Sequence, residues 1–288
     1  MKTPWMKIAA LGAAGVLVLS ACSPGATEDS AEDDAAGGGG GETVTVGIKY
    51  DQPGLGFREG NNPPTGFDVD VAKAVLAEMG YEEDQIEWVE SPTPQRENML
   101  ENGQVDMIFA TYSITDERDE RVDFAGPYFM AGQDILVSVD ENDITSPEDL
   151  NGRNLCSVTG STPAQNVRDM YADEVELVEQ DGYSECLTFL QSGQVDAVTT
   201  DDIILAGLAA SDEYAGQFKV VGNPFTEEPY SVRLQEGVVE TCEQVNEAIQ
   251  KLQDDGTIDE LLAANTEGVD YEANAELNDN IELVTCGE

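Results

Sequence analysis

The 288-residue chain contains no histidine, and it sets only 13 basic residues against 59 acidic ones. Without imidazole it lacks the commonest general base and the commonest metal ligand. No C-x-x-C spacing occurs among its five cysteines either, which argues against a zinc site. There is no G-x-S-x-G elbow and no phosphate-cradling glycine loop. Catalysis would fall to carboxylates or a lysine, and neither a cofactor nor a metal is expected. The scarcity of cations excludes nucleic acid and electrostatic adhesion to anionic lipid. The apolar run Ile8 to Leu19 is too short and wrongly flanked for an ordinary membrane span.

That run follows Lys2 and Lys7 and ends Leu19-Ser20-Ala21-Cys22, which resembles the lipobox of bacterial lipoproteins. The resemblance implies a signal peptide over 1–22, with Cys22 lipidated as the new N-terminus. An ordinary secretory signal with an incidental cysteine is the alternative. Either way the mature protein works outside the cytoplasm. Residues 23–42, SPGATEDSAEDDAAGGGGGE, are acidic and glycine-rich with no aromatic residue, so they read as a flexible tether spanning roughly 25 Å r.m.s.. All acids follow Cys22, while two lysines precede it, so the mature chain carries 11 − 59 = −48. The remaining Cys156, Cys186, Cys242 and Cys286 suit an oxidising compartment and allow three pairings. Cys156–Cys186 and Cys242–Cys286 are favoured because each then falls within one expected lobe.

The motif GQVD occurs twice, at 103–106 and 193–196, each time between a helix-like and a strand-like run. This points to two related units with something held between them. In the first, a strand ends near Lys49, and Phe67, Val71, Val75 and Leu76 recur at helical spacing with Asp68 as N-cap and Gly80 as stop. A strand over 86–89, a helix over 95–102 capped by Gly103 and a strand over 106–112 complete a β-α-β-α-β order, which implies a mostly parallel sheet. The pattern restarts at Gln133 with strands at ILVSV, NLCSV and 197–200 and helices over 163–170, 183–191 and 203–210. A last strand over 230–234 and helices over 240–255 and 258–264 return to the first unit. The expected domains are lobe 1, 43–130 plus 226–288, and lobe 2, 131–225, with hinge crossings near 130 and 226. Ligands of open α/β sheets lie beyond the strands' carboxyl ends, here the loops 110–118 and 200–202.

GFDVDVAKAV (66–75), GQVDMIFATYSITDERDERVDFAGPY (103–128), LCSVTGSTPAQ (155–165) and GQVDAVTTDD (193–202) resemble the extracellular solute-binding proteins of the polar amino-acid class, receptors of ABC importers. With the lipobox and KYDQPGLGF (49–57), the glutamate-binding lipoproteins of actinobacterial uptake systems are the most similar branch. The resemblance implies a periplasmic-binding-protein-like fold of type II, with two α/β lobes, a hinge and an interlobe cleft.

An α-amino acid presents a carboxylate, an ammonium and a side chain. Arg118 follows the first GQVD strand and can fork onto a carboxylate, with Thr111 and Ser113 adding donors. The family motif S-I-T-x-x-R, here Ser113 to Arg118, assigns this arginine the α-carboxylate. Pairing with Asp116 or Glu117 is the alternative. Thr162, in Gly160-Ser161-Thr162-Pro163, opens a helix whose N-terminus favours an anion, and the resemblance puts it on the α-carboxylate opposite Arg118, with a simple N-cap as the alternative. Asp201 matches the family's ammonium-binding acid, although Asp202 stands beside it. Selectivity follows from Lys49, where relatives binding basic amino acids carry an acid, and from Arg96, which matches an arginine of acidic-amino-acid receptors. Lys49 could instead snorkel from a strand end, and Arg96 could pair with Glu97 or Glu101. Gln52 could bond a side-chain carboxylate or amide, which keeps glutamine and aspartate open as ligands. Tyr50, Phe67, Tyr112 and Tyr128 read as core or wall.

The implied function is a lipid-anchored extracytoplasmic receptor, a monomer, that closes over L-glutamate and delivers it to ABC permease subunits. A sensor passing occupancy to a signalling partner is a second reading, and a dehydratase on the same fold a third. Residues 267–288 fall outside the strong resemblance, and Cys286 is expected to pin them to the helix bearing Cys242.

Overall fold

A computed structural model describes residues 43–171, 174–279 and 281–287. The expected signal peptide, Cys22 and the tether lie outside the described residues. β1 (Val44–Ile48) leads into a short hairpin of β2 (Asp51–Gln52) and β3 (Gly56–Phe57). Helix α1 (Phe67–Glu78) returns the chain to β4 (Ile86–Glu90), and α2 (Arg96–Glu101) returns it to β5 (Met107–Ile108). The single turn α3 (Asp116–Asp119) precedes β6 (Asp123–Ala131) and β7 (Gln133–Ser138), with Gly132 alone between these strands. Then come β8 (Asn154–Val158), α4 (Thr162–Met170), β9 (Glu176–Gln180), α5 (Tyr183–Ser192), β10 (Ala197–Asp201), α6 (Asp202–Ala210) and β11 (Phe218–Val220). The chain closes with β12 (Glu228–Leu234), α7 (Val239–Asp254), α8 (Thr257–Asn265) and α9 (Ala275–Asn278).

Two five-stranded sheets result, in the orders β4-β1-β5-β12-β6 and β11-β7-β10-β8-β9, so the molecule has two α/β lobes. The chain passes between them at Gly132 and again between β11 and β12. Both sheets are mixed rather than mostly parallel. β1 is parallel to β4 and β5, and β8 to β9 and β10, as helical crossovers require. The strands next to the crossings, β12 and β7, run antiparallel to both of their neighbours. A strand arriving from the other lobe has no crossover helix to fix its direction.

The repeated motif does one job twice. Gly103 and Gly193 take positive φ, 63° and 72°, and end α2 and α5 in the left-handed conformation that costs glycine little. Three residues on, Asp106 accepts the Thr45 N–H and Asp196 the Asn154 N–H, both at 2.7 Å. Their own N–H groups return to the carbonyls of Thr45 and Asn154 at 2.8 Å. Each aspartate thus fastens its strand to the start of the neighbouring strand and sets the register from which the next loop emerges.

Disulfides join Cys156 of β8 to Cys186 of α5, and Cys242 of α7 to Cys286 in the tail, closing loops of 30 and 44 residues. The tail lies along β6: Asn278 takes the Met130 N–H and donates to its carbonyl, both at 2.9 Å, and the Val284 N–H donates to Gly126 at 2.7 Å. Reduction should lower stability by about 3.5–4 kcal/mol per bridge in the chain-entropy model. Denaturant unfolding with and without reductant measures this, and ligand preference should not change.

Candidate functional site

The loops at the carboxyl ends of β1, β4, β5, β8 and β10 meet the start of β12, and every sequence-proposed ligand residue lies here. Lys49 follows β1 and is buried, with Nζ 3.1 Å from Asp51 Oδ1. Burial holds its ammonium below the usual lysine range, against the pull of Asp51. Arg96 opens α2, is also buried, and lays its guanidinium 4.6 Å from the centre of the Tyr112 ring. The acids that could have claimed it are engaged elsewhere: Glu97 accepts the Tyr112 hydroxyl, and Glu101 pairs with Arg121 at 2.7 Å. Among the described residues, Arg96 has no carboxylate at ion-pair distance.

Arg118 donates to the Ser113 carbonyl at 2.8 Å and, across the cleft, to the Gly160 carbonyl at 3.2 Å, rather than to Asp116 or Glu117. Its guanidinium lies 4.8 Å from the same Tyr112 ring. Tyr112 is therefore more than the wall that its type suggested; it is the surface on which the arginines gather. Burial, outweighing those cations, pushes its phenol up to about 12.

Thr111 sits at φ 47°, a conformation costly for a β-branched residue. It is held by Asp68, whose carboxylate accepts the Thr111 N–H at 2.9 Å and the Tyr128 hydroxyl at 2.7 Å. Two expectations change here. Asp68 is not the cap of α1, since Gly66 occupies that position, and the third strand ends at Ile108 because the chain turns toward Asp68. Since the Thr111 N–H is committed to Asp68, its hydroxyl is what faces Gln52, whose Nε2 donates to it at 3.1 Å.

In the second lobe, Thr162 is the first residue of α4 and donates to Glu228 at 3.3 Å. Ser161, at the cap position, turns its hydroxyl to the Val158 carbonyl, so no side chain caps the helix. Asp201 and Asp202 part ways. Asp202 accepts the N–H groups of Ile203 and Gly132 at the crossing between the lobes. Asp201 accepts the Tyr230 hydroxyl at 2.6 Å on one oxygen, while its other oxygen is buried without a partner among the described residues. Burial first, then the nearby Glu228, holds this carboxyl well above the usual range. Two cavities flank the cluster: one of about 500 Å³ at Arg118, Gly160 and Thr162, and one of about 420 Å³ at Lys49, Asp51 and Ser184.

Sequence reasoning misses Arg233, Tyr230 and Glu228. For Arg233 a signal exists: an arginine inside YSVRL, the apolar run of a strand buried among others. The buried carboxyls also predict a pH dependence. Desolvation raises Asp68 and Asp202 from an ordinary 3.8 to about 6, so the folded chain binds protons that the unfolded chain releases. Their favourable contribution is full below pH 4 and lost as pH rises through 6, roughly 3 kcal/mol per group. Thermal melts of the ligand-free protein should show Tm rising from pH 7.5 to 5, and a falling Tm would overturn this.

Two α/β lobes joined by two crossings, with a polar cluster between them, define a periplasmic-binding-protein-like fold of type II. The profile of the bacterial extracellular solute-binding proteins, family 3, matches residues 44–266, and the chain belongs to that family. It is 47% identical over 233 residues to the glutamate-binding protein GluB of Corynebacterium glutamicum, covering 77% of this chain and 78% of that one. It is 35% identical over 256 residues to the ABC transporter glutamine-binding protein GlnH of Bacillus subtilis, covering 85% and 91%. An ancestral arginine-binding protein bound to glutamine superposes with a TM-score of 0.71 at 34% identity, covering 77% and 96%. Among the described residues, no helix is long and apolar enough to cross a membrane.

Proposed function

We propose that the chain is a lipid-anchored extracytoplasmic receptor, anchored at Cys22, that closes over L-glutamate and delivers it to the permease of an ABC importer. Arg118 and the open N-terminus of α4 at Thr162 take the α-carboxylate, and the unpartnered oxygen of Asp201 takes the ammonium. Lys49, Arg96 and Gln52 take the side-chain carboxylate, and Thr111 and Ser113 complete the wall. Lobe 1 (43–130 and 226–288) and lobe 2 (131–225) close as a hinge, stabilised by contacts that exist only with ligand between them. The receptor acts as a monomer and performs no chemistry.

The observation that carries this reading is the gathering of Lys49, Arg96 and Arg118, three of eleven mature cations, around one cleft of a chain with 59 acids. Arg96 and Arg118 have no carboxylate at ion-pair distance among the described residues, and a dicarboxylate ligand would supply one to each. The 47% identity to a glutamate-binding protein supports the choice of ligand. Calorimetric titration of protein unfolded and refolded to strip carried-over ligand tests it, using Glu, Gln, Asp, Asn, Lys and His. Micromolar or tighter glutamate binding should result, weakened by Lys49→Ala and Arg96→Ala while glutamine binding survives. Tightest binding of glutamine or a basic amino acid would sink the acidic-side-chain assignment.

A further inference from the structure

Arg233 lies in β12, opposite Ile108 of β5 and Phe124 of β6, and is fully buried. Among the described residues, none of its three side-chain nitrogens has a hydrogen-bond partner. Its guanidinium stacks 3.3 Å from the centre of the Phe124 ring and 4.8 Å from that of Tyr112. The acids that influence it, Glu97 and Asp119, form no ion pair with it, and Glu97 is held by the Tyr112 hydroxyl. Isolated buried charges cost several kcal/mol unless they neutralise or are compensated, and a protein with 59 acids does not lack compensating groups. The two aromatic rings offset part of that cost. The rest is unexplained by anything β12 needs, since the neighbouring strand positions are apolar.

The position supplies an explanation. Arg96, Arg118 and Arg233 all lie within 5 Å of the same Tyr112 ring centre, so any two of these charges are less than about 10 Å apart. They repel one another, as the depressing effect of Arg118 on both Arg96 and Arg233 shows. A third positive charge behind the ring is unfavourable in the empty site and favourable once an extra negative charge enters.

We propose that Arg233 is a specificity-determining residue, an unpaired cation behind Tyr112 that biases the cleft toward a ligand whose side chain is negatively charged. It acts through the field in the pocket and touches no ligand atom. The inference rests on the proposed amino-acid site, though not on which amino acid binds best. Unit charges about 8–10 Å apart at an effective dielectric near 20 interact enough to change an equilibrium constant on the order of tenfold.

The test is the ratio of glutamate to glutamine affinity, measured by calorimetry on the stripped full chain and on Arg233→Met and Arg233→Lys. Arg233→Met should lower the ratio roughly tenfold, almost wholly through weaker glutamate binding, and should leave the ligand-free Tm equal or higher. Arg233→Lys, which keeps the charge, should keep the ratio. If Arg233→Met does not fold, Arg233→Gln supplies a second charge-free variant with the same expectation. An unchanged ratio, or equal loss of both ligands with a lower Tm, would make Arg233 a packing residue only. The ratio reads Arg233 whichever ligand the wild type prefers, so a wild-type preference for glutamine would overturn the glutamate assignment and leave this inference standing or falling by itself.

Discussion

Arg118→Ala should weaken glutamine binding on the order of a hundredfold and glutamate binding by more, while barely moving the Tm of the empty protein. A truncated charged contact in a desolvated site costs about 2–5 kcal/mol, and the partial exposure of this arginine argues for the lower half of that range. The side chain has a second task. It ties Ser113 in the first lobe to Gly160 in the second, so removing it also loosens the closed arrangement. Arg118→Lys should recover only a small part of the loss, because an ammonium cannot fork onto a carboxylate while holding two carbonyls. Both ligands lose the contact to their α-carboxylate, and glutamate also loses the field of this cation on its side chain, so the glutamate-to-glutamine ratio should fall as well. Lys49→Ala and Arg96→Ala, by contrast, should leave glutamine binding largely intact. Titration of the two ligands against the two variants decides it; wild-type affinity in Arg118→Ala would remove this arginine from the site.

Gly207→Ala should separate binding from folding. Gly207 lies inside α6, where alanine is favoured over glycine by about 0.5–1 kcal/mol, so the empty protein should melt at the same temperature or slightly higher. A Cβ at this position would stand 2.3 Å from the Pro53 carbonyl oxygen of the other lobe. That oxygen belongs to backbone and cannot rotate away, so the lobes cannot meet here as they do in this structure. Ligand affinity should fall tenfold or more without any group of the proposed site being changed. The loss should be equal for glutamate and glutamine. Scattering should show the wild-type radius of gyration shrinking on addition of glutamate and the variant's hardly changing. Wild-type affinity in Gly207→Ala would mean that the ligand-bound lobes do not touch at this point.

The parts of this fold that local signals carry were readable in advance. The glycine stops and the helical spacing of α1 depend on residues within a dozen positions, and the paired GQVD segments are visible as a repeat, although what their aspartates bind lies 61 and 42 residues away. Strand β6 was not readable, because Gly126 and Pro127 punctuate it. Proline is tolerated there because the register of β12 shifts opposite it, between Tyr230 and Val232, which is a fact about the partner strand. The mixed sheets were hidden for the same reason, since direction at the crossings is set by the other lobe. At the site, Arg118, Arg96 and Lys49 were legible through the family resemblance, and the scarcity of cations gave their gathering its weight. Tyr112, Asp68 and Arg233 were not, because an aromatic residue, one acid among 59 and a strand arginine acquire meaning only from what the fold sets beside them.

Each disulfide closes a loop within one lobe, and neither spans the crossings. Stretched by its ends, the oxidised protein therefore withholds the 30 and 44 residues inside those loops, roughly 25 nm of contour at 3.3–3.6 Å per residue, and only reductant releases them. Force applied at the C-terminus enters the fold at Cys242 on α7 and bypasses the tail that lies along β6. A receptor pulled by its ends thus bears load through the first turn of α7 and β12, while the rest of α7, α8 and the tail beside the hinge strand stay slack.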